Sequence, residues 1–254
     1  MLSKNDIKNI KSLELKKFRD EKRLFVAEGH KLVGELLGVF KCVLLVATDE
    51  WLASRKRIPA ERIESVTADE LKRASLLRSP QDVLGVFCMP DEHRTIKEAA
   101  AKNLVLALDD VQDPGNLGTI MRIADWFGIK DIFCSKATAD IFNPKAVQAT
   151  MGAVARVKIH YTDLAGELSS LPSSIPVYGT FLEGDIIYDT QLSANGVIIM
   201  GNEGNGIGKE VGKTVNRKLY IPNWPAGAAT SESLNVAIAT AIVCSEFRRR
   251  CGNA

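Results

Sequence analysis

The chain is predicted to be an α/β protein. A mostly parallel sheet covered on both faces fills its larger, later part, behind a smaller α/β unit at the front. Three observations predict this. Leu104-Val105-Leu106-Ala107-Leu108 is a continuous apolar run, as in a strand buried on both sides. From there on, short apolar runs alternate with stretches of helical spacing, the pattern of a parallel sheet with crossover helices. Between the two parts, Pro90-Asp91-Glu92-His93-Arg94 is polar and proline-bearing, which suits a linker. The predicted division is a first domain over 1–92 and a second over 93–254.

The first 35 residues read as polar and helical, with Ile7, Ile10, Leu13 and Leu15 set among lysines. The run Lys16-Lys17-Phe18-Arg19-Asp20-Glu21-Lys22-Arg23 precedes Leu24-Phe25-Val26. It reads either as a solvated helix face or as a set of phosphate contacts. Apolar stretches at 42–46 and 83–88 and helical segments at 49–54 and 69–77 complete the front unit, with an exposed loop through Arg78-Ser79-Pro80-Gln81. In the second part, after the strand at 104–108, Ile120, Ile123, Ala124 and Phe127 space a helix over 117–127. Further strands are predicted at 131–134, 154–159, 177–180, 197–200 and 218–221, and further helices at 144–152, 164–168, 207–213 and 234–249.

Composition excludes several classes. With 254 residues and 46% hydrophobic residues, a large core is feasible. No apolar run approaches the roughly 20 residues of a membrane helix; the stretch 39–48 is far too short. The opening Met1-Leu2-Ser3-Lys4-Asn5-Asp6 lacks a signal-type apolar segment, and five scattered cysteines suit a reduced, cytoplasmic protein. His30, His93 and His160 are isolated and no Cys-x-x-Cys occurs, so no metal site is expected. The net charge of +2 neither requires nor excludes nucleic acid. Residues 1–100 carry 19 Lys/Arg against 16 Asp/Glu, and the remainder 14 against 15, so the mild positive surplus lies at the front.

Three short motifs stand where apolar runs give way to small and polar residues, the place where α/β enzymes put their chemistry. The first is Asp113-Pro114-Gly115-Asn116-Leu117-Gly118 with Arg122 following. Pro114-Gly115 predicts a turn, Asn116 an N-cap, and Arg122, in the next helix, a group able to grip a phosphate or a developing oxyanion. The second is Gly201-Asn202-Glu203-Gly204-Asn205-Gly206 with Gly208 beyond it. Its glycines let a backbone pass close to a ligand. It follows a late strand, lacks the dinucleotide spacing, and has no phosphate-loop lysine. Glu203 either caps its own turn or orients a ribose or an arginine. The third is Ser231-Glu232-Ser233-Leu234-Asn235-Val236. Ser231 and Ser233 are the candidate caps of the last helix, with Asn235 in its first turn. No histidine or cysteine accompanies them, so a hydrolytic triad is unsupported.

Residues 104–247 resemble the catalytic domain of the SpoU/TrmH branch of the SPOUT methyltransferases. The resemblance rests on Asn116 through Arg122, on Gly201 to Gly208 with Glu203, and on Ile221-Pro222 with Ser233-Leu234-Asn235-Val236. Residues 1–90 resemble the RNA-binding extension found beside that domain, through Phe25-Val26-Ala27-Glu28-Gly29 and Ser79-Pro80-Gln81-Asp82. The resemblance implies a C-terminal trefoil knot, which pattern reading would not suggest because knots are so rare. It also implies S-adenosylmethionine held by Thr180, Phe181, Leu182, Gly201, Asn202, Glu203, Gly204, Gly206 and Ile221, with Ser233, Leu234 and Asn235 closing over it. The implied protein is a homodimer in which Arg122 of one subunit completes the other's site. The implied reaction is methyl transfer to a ribose 2′-hydroxyl of structured RNA, ribosomal rather than transfer RNA, with no membrane and no metal. Arg122, Asn116, Glu203, Ser233 and Asn235 are the implied catalytic residues.

Arginine is an awkward base because its pKa exceeds about 12; Arg122 either takes the hydroxyl proton or clamps a phosphate and stabilises the alkoxide. The stretch 223–229, with Asn223 and Trp224, departs from the family and bears on how a base is held. Two other readings compete: an RNA-binding module that no longer methylates and, from the glycine loop alone, a nicotinamide-dependent oxidoreductase.

Overall fold

The computed structural model describes residues 2–91, 93–225, 231 and 233–251, the side chain of residue 251 excepted. Glu232 and the stretch 226–229 of the family departure lie outside the described residues. The chain forms two compact units, residues 1–92 with 140–155, and residues 93–139 with 156–254. The segment 140–155, read from sequence as part of the second domain, belongs to the first unit.

In the first unit the polar opening is not one helical stretch. It gives α1 (Lys4–Ser12), α2 (Lys16–Lys22), β1 (Leu24–Glu28) and α3 (His30–Leu36). Then follow β2 (Cys42–Ala47), α4 (Asp49–Ala53), β3 (Ile63–Ser65), α5 (Ala68–Ala74) and β4 (Val83–Cys88). The strands order β1-β4-β2-β3, with β4 antiparallel to both neighbours and β3 parallel to β2. One face of this sheet packs Val26, Leu44, Val46, Leu84 and Val86 against Ile10, Leu13 and Leu71. On the other, Phe25 meets Phe40, Phe87 and Phe142 at ring-centroid distances of 5.3, 5.7 and 4.8 Å.

The charged run 16–23 is neither a plain solvated face nor a free set of phosphate contacts. Lys16 pairs with Asp20, Lys22 bonds Asn9 and Ser12, and Arg23 reaches Asp91. Arg19 is 1% exposed. Its Nε and Nη2 donate to Asp140 Oδ2 at 3.1 and 2.7 Å, and Nη1 donates to the carbonyls of Leu13 and Glu14 at 2.8 and 2.6 Å. A buried guanidinium satisfied in this way fastens 140–155 to the two opening helices. Removing one partner of such a pair strands a charge, so Arg19→Ala is expected to cost about 3–5 kcal/mol in urea unfolding. A loss of only about 1 kcal/mol, as for exposed pairs, would show that the fastening is not stabilising.

The second unit runs α6 (Ile96–Ala100), β5 (Leu104–Leu108), α7 (Pro114–Trp126) and β6 (Asp131–Ser135). After α8 (Pro144–Ala149) in the first unit come β7 (Lys158–Thr162), α9 (Leu164–Ser169), β8 (Val177–Ile186), β9 (Gly196–Met200), α10 (Lys209–Gly212), β10 (Arg217–Tyr220) and α11 (Val236–Cys251). Its sheet orders β10-β8-β9-β5-β6-β7, and every pairing is parallel. β5 and β9 are buried along their full length, as the continuous apolar runs predicted. The strand expected at 154–159 begins later, because Ala153–Ala155 form a 3-10 turn. The linker is anchored: Arg94 Nη1 donates to Asp131 Oδ2 at 2.7 Å, and the ring of His160 bonds Asp131 Oδ1 at 3.0 Å.

Candidate functional site

All strands of the second sheet run the same way, so their C-terminal ends open on one edge. The ends of the adjacent strands β10, β8, β9 and β5 feed the segments that carry the three motifs and the loop at residues 180–184. Such an edge is where open α/β sheets bind ligands.

The loop 180–184 is set out of the ladder. Lys218 of β10 lies opposite Gly179, yet its successor Leu219 lies opposite Asp185. The intervening backbone therefore bulges while strand direction is kept. Thr180 Oγ1 donates to the Ile199 carbonyl at 3.3 Å, tying the start of the bulge to β9. The Lys218 ammonium sits 5.2 Å over the Phe181 ring, and Leu182 is 71% exposed.

The glycine loop is a tight, braced turn. Asn202 and Gly206 exchange backbone hydrogen bonds at 2.9 and 3.0 Å. Asn202 Oδ1 accepts from the N–H groups of Gly204 and Asn205, and Asn202 Nδ2 donates to the Asp110 carbonyl at 2.8 Å. Gly206 has φ +67°, a conformation glycine adopts without strain. A Cβ on Gly201 would stand 2.3 Å from the Gly206 carbonyl carbon, so the loop folds back against its own start. The buried Asp109, at the end of β5, accepts the Gly208 N–H at 2.8 Å. The bracing by Asp109 and Asn202 was not foreseen from sequence, although an aspartate directly after a fully buried strand is the kind of residue that caps a neighbouring loop.

The first and third motifs differ from expectation in their caps. Asp113, not Asn116, caps α7: its carboxylate accepts the Asn116 N–H at 2.8 Å, and Pro114 takes the first helical position. That frees the Asn116 side chain, which donates through Nδ2 to Glu203 Oε1 at 2.7 Å. Asn235, not Ser231 or Ser233, caps α11, its Oδ1 accepting from Ala237 and Ile238. Its Nδ2 donates to Asn116 Oδ1 at 3.1 Å. One hydrogen-bonded chain, Asn235–Asn116–Glu203, thus joins all three motifs, and each amide is fixed by its partners. Ser233 is exposed and makes no side-chain hydrogen bond among the described residues, Leu234 is 47% exposed, and Ile221 is half-buried.

Arg122 is not brought into this chain. It lies six residues beyond Asn116 on α7, about 9 Å along the axis and about 120° round it. It is exposed and forms no hydrogen bond or ion pair among the described residues. One turn further on, Trp126 is 86% exposed. Past β10, Tyr220 Oη donates to Asn223 Oδ1 at 3.2 Å, and Trp224 is 88% exposed.

Among the described residues no group of three or more His, Cys, Asp or Glu side chains could hold a metal ion, and no helix is long and apolar enough to cross a membrane. Burial pushes the thiols of Cys42 and Cys244 up to about 12 and raises that of Cys134 as well, so these three are not thiolate nucleophiles near neutrality.

The family model described as the SpoU rRNA Methylase family matches residues 103–245, and one described as an MRM3-like substrate binding domain matches residues 4–85. The 23S rRNA (guanosine(2553)-2′-O)-methyltransferase RlmP of Bacillus subtilis is 32% identical over 252 residues, 95% of each chain. The structure of a Porphyromonas gingivalis protein assigned to the TrmH family of RNA methyltransferases superposes with a TM-score of 0.89 at 42% identity, over 98% of this chain and 99% of that one. An AdoMet-bound rRNA methyltransferase from Sinorhizobium meliloti gives 0.82 at 31% identity, over 98% and 96%. The architecture is that of these proteins, a parallel sheet with a C-terminal trefoil knot and a separate front unit.

Proposed function

The chain belongs to the SpoU rRNA methylase family, and from that premise we propose that it transfers the methyl group of S-adenosylmethionine to a ribose 2′-hydroxyl of ribosomal RNA. The observation that carries the reading is the Asn235–Asn116–Glu203 chain, which gathers the three motifs at the open edge of the sheet. The Bacillus subtilis relative acts on 23S rRNA and aligns over nearly the whole of both chains, which favours ribosomal over transfer RNA.

The site fits the cofactor by its donor set. Backbone N–H and C=O groups are among the polar groups that can fix an adenosine. The bulge at 180–184 lies out of the ladder, and the loop at 201–206, whose N–H groups at 202, 204, 205 and 206 bond within the loop, keeps the carbonyls of Glu203, Gly204 and Asn205 outside those bonds, without bulky side chains at Gly201, Gly204 and Gly206. Thr180, Phe181, Leu182, Gly201, Asn202, Glu203, Gly204, Gly206 and Ile221 would hold the cofactor, with Ser233, Leu234 and Asn235 at its open side. When bound, the cofactor supplies a methyl group already activated by its sulfonium charge.

The chain's own residues then have to align the ribose and manage its proton. Much of the rate gain comes from holding a poor nucleophile in line. Asn116, fixed at both ends of its amide, and Glu203 beside it position the sugar. Arg122 either takes the hydroxyl proton or, with that proton passing to solvent water, clamps the adjoining phosphate and provides a fixed positive charge for the oxygen. Because Arg122 stands apart from the Asn116 chain, the reading places it at the site of a second copy in a homodimer. The exposed Trp126 on the same helix and the exposed Ile238 on α11 support an apolar face for that partner.

Purified protein with S-adenosylmethionine and unmodified 23S rRNA is expected to yield 2′-O-methylated nucleosides, measured by mass spectrometry after digestion. Saturable cofactor binding in titration calorimetry without any product from ribosomal or transfer RNA would overturn the reading.

A further inference from the structure

The first unit has an arginine on an aromatic seat that the reaction does not use, with Lys31, Lys56 and Arg57 set against Asp49, Glu50 and Asp82 of the same segments. Where β1 and β2 end and β4 begins, three segments meet. The N–H groups of Gly29 and Thr48 bond the carbonyls of Val83 and Asp82, at 2.9 and 3.0 Å. The helices α3 and α4 start here and touch through Trp51, which is 3% exposed. The His30 ring meets the Trp51 indole edge-on at 6.3 Å, and the Arg55 guanidinium stacks 4.9 Å from the indole centroid. On α3, a Cβ at Gly34 would stand 2.9 Å from Arg55 Nη2. The guanidinium is therefore seated between an aromatic ring and a helix backbone bare of a side chain. It makes no hydrogen bond or ion pair among the described residues. Lys31 on α3, and Lys56 and Arg57 next in the chain, are exposed and likewise make no side-chain bond among the described residues.

A lone surface arginine is most often simply solvated. One held by stacking, with its five donors unpaired among the described residues, is preorganised for an anion that takes a planar fork. We propose that Arg55, seated on Trp51 and flanked by Lys31, Lys56 and Arg57, is a clamp for the phosphate backbone of the RNA substrate. Phosphate contacts fix register without reading sequence, so this face would orient a folded RNA. The proposal rests on the RNA-methylating reading and adds to it the face by which the first unit binds.

The test is retention of in vitro-transcribed 23S rRNA by the full-length protein, without cofactor, over a salt series. Arg55→Gln keeps a planar, hydrogen-bonding end on a shorter side chain and removes the charge. It is expected to weaken binding about tenfold at low salt and to flatten the slope of log K against log salt by about one. Arg55→Lys, which keeps charge without the fork, should fall between. kcat at saturating RNA and cofactor Kd should stay at the wild-type values while KM for RNA rises. If Arg55→Gln unfolds, the triple variant K31Q/K56Q/R57Q, which leaves Trp51 covered, should lose affinity with a slope flattened by about two to three. Wild-type Kd and slope in a folded Arg55→Gln protein would overturn the proposal, whether these cations then serve a protein partner or only solubility. A wild-type protein that binds RNA through this face but methylates none would instead remove the enzymatic reading.

Discussion

Arg122→Ala is expected to lower kcat for RNA methylation by about 10²–10³-fold, the usual loss when one fixed donor to a developing oxyanion is deleted. Cofactor affinity should be unchanged, because Arg122 is exposed on α7 and makes no hydrogen bond or ion pair among the described residues, those of the proposed cofactor loops included. For the same reason the folded state should lose little, and the variant should unfold with the wild type. Single-turnover methylation with saturating RNA, beside calorimetric cofactor binding, checks both halves. Activity within a few-fold of wild type would remove Arg122 from the reaction, whether as proton acceptor or as clamp.

Gly201→Ala should have the opposite signature. The new methyl carbon would be placed 2.3 Å from the Gly206 carbonyl carbon and 2.4 Å from the Ile207 nitrogen, and both are backbone atoms that cannot rotate away. The loop must open, and overpacking of this kind costs about 1–3 kcal/mol. If that distortion falls on the cofactor's seat, Kd for S-adenosylmethionine rises about 5–150-fold. A wild-type Kd would show that the glycine loop is not the cofactor's seat. Mixing the two variants then tests the shared site: a dimer with one subunit of each kind contains one place with both an intact Gly201 loop and an intact Arg122. Regained activity on mixing is the outcome expected if Arg122 acts across subunits.

The strands that build this edge were legible because burial on both faces leaves an unbroken apolar run, as at 104–108 and 197–200. The caps were not. Pro114-Gly115 read as a turn, although Asp113-Pro114 is equally the signature of a cap followed by a first-turn proline. Ser231, Ser233 and Asn235 are all cap-forming types by sequence, and only the backbone geometry selects Asn235. β3 has only three residues, too few for any period to register. Linear reading could not reveal that one arginine in the charged run is buried, since its partner Asp140 is 121 positions away. Arg55 is different: it follows Trp51 by four residues, a spacing local chain geometry can close, and only its other neighbour, Gly34 of α3, comes from the fold. The chain linking Asn235, Asn116 and Glu203 joins residues all singled out from sequence, but their contacts follow from strand order.

The excursion at 140–155 bears on how this protein can be taken apart. No single cut yields two complete pieces. A fragment beginning at residue 93 would carry α8 with Ala146 and Val147 stripped of their cover, while one ending at residue 92 would leave Arg19 without its counter-ion. Exchange of the front module between relatives, in evolution or at the bench, therefore demands that the inserted helix travel with it.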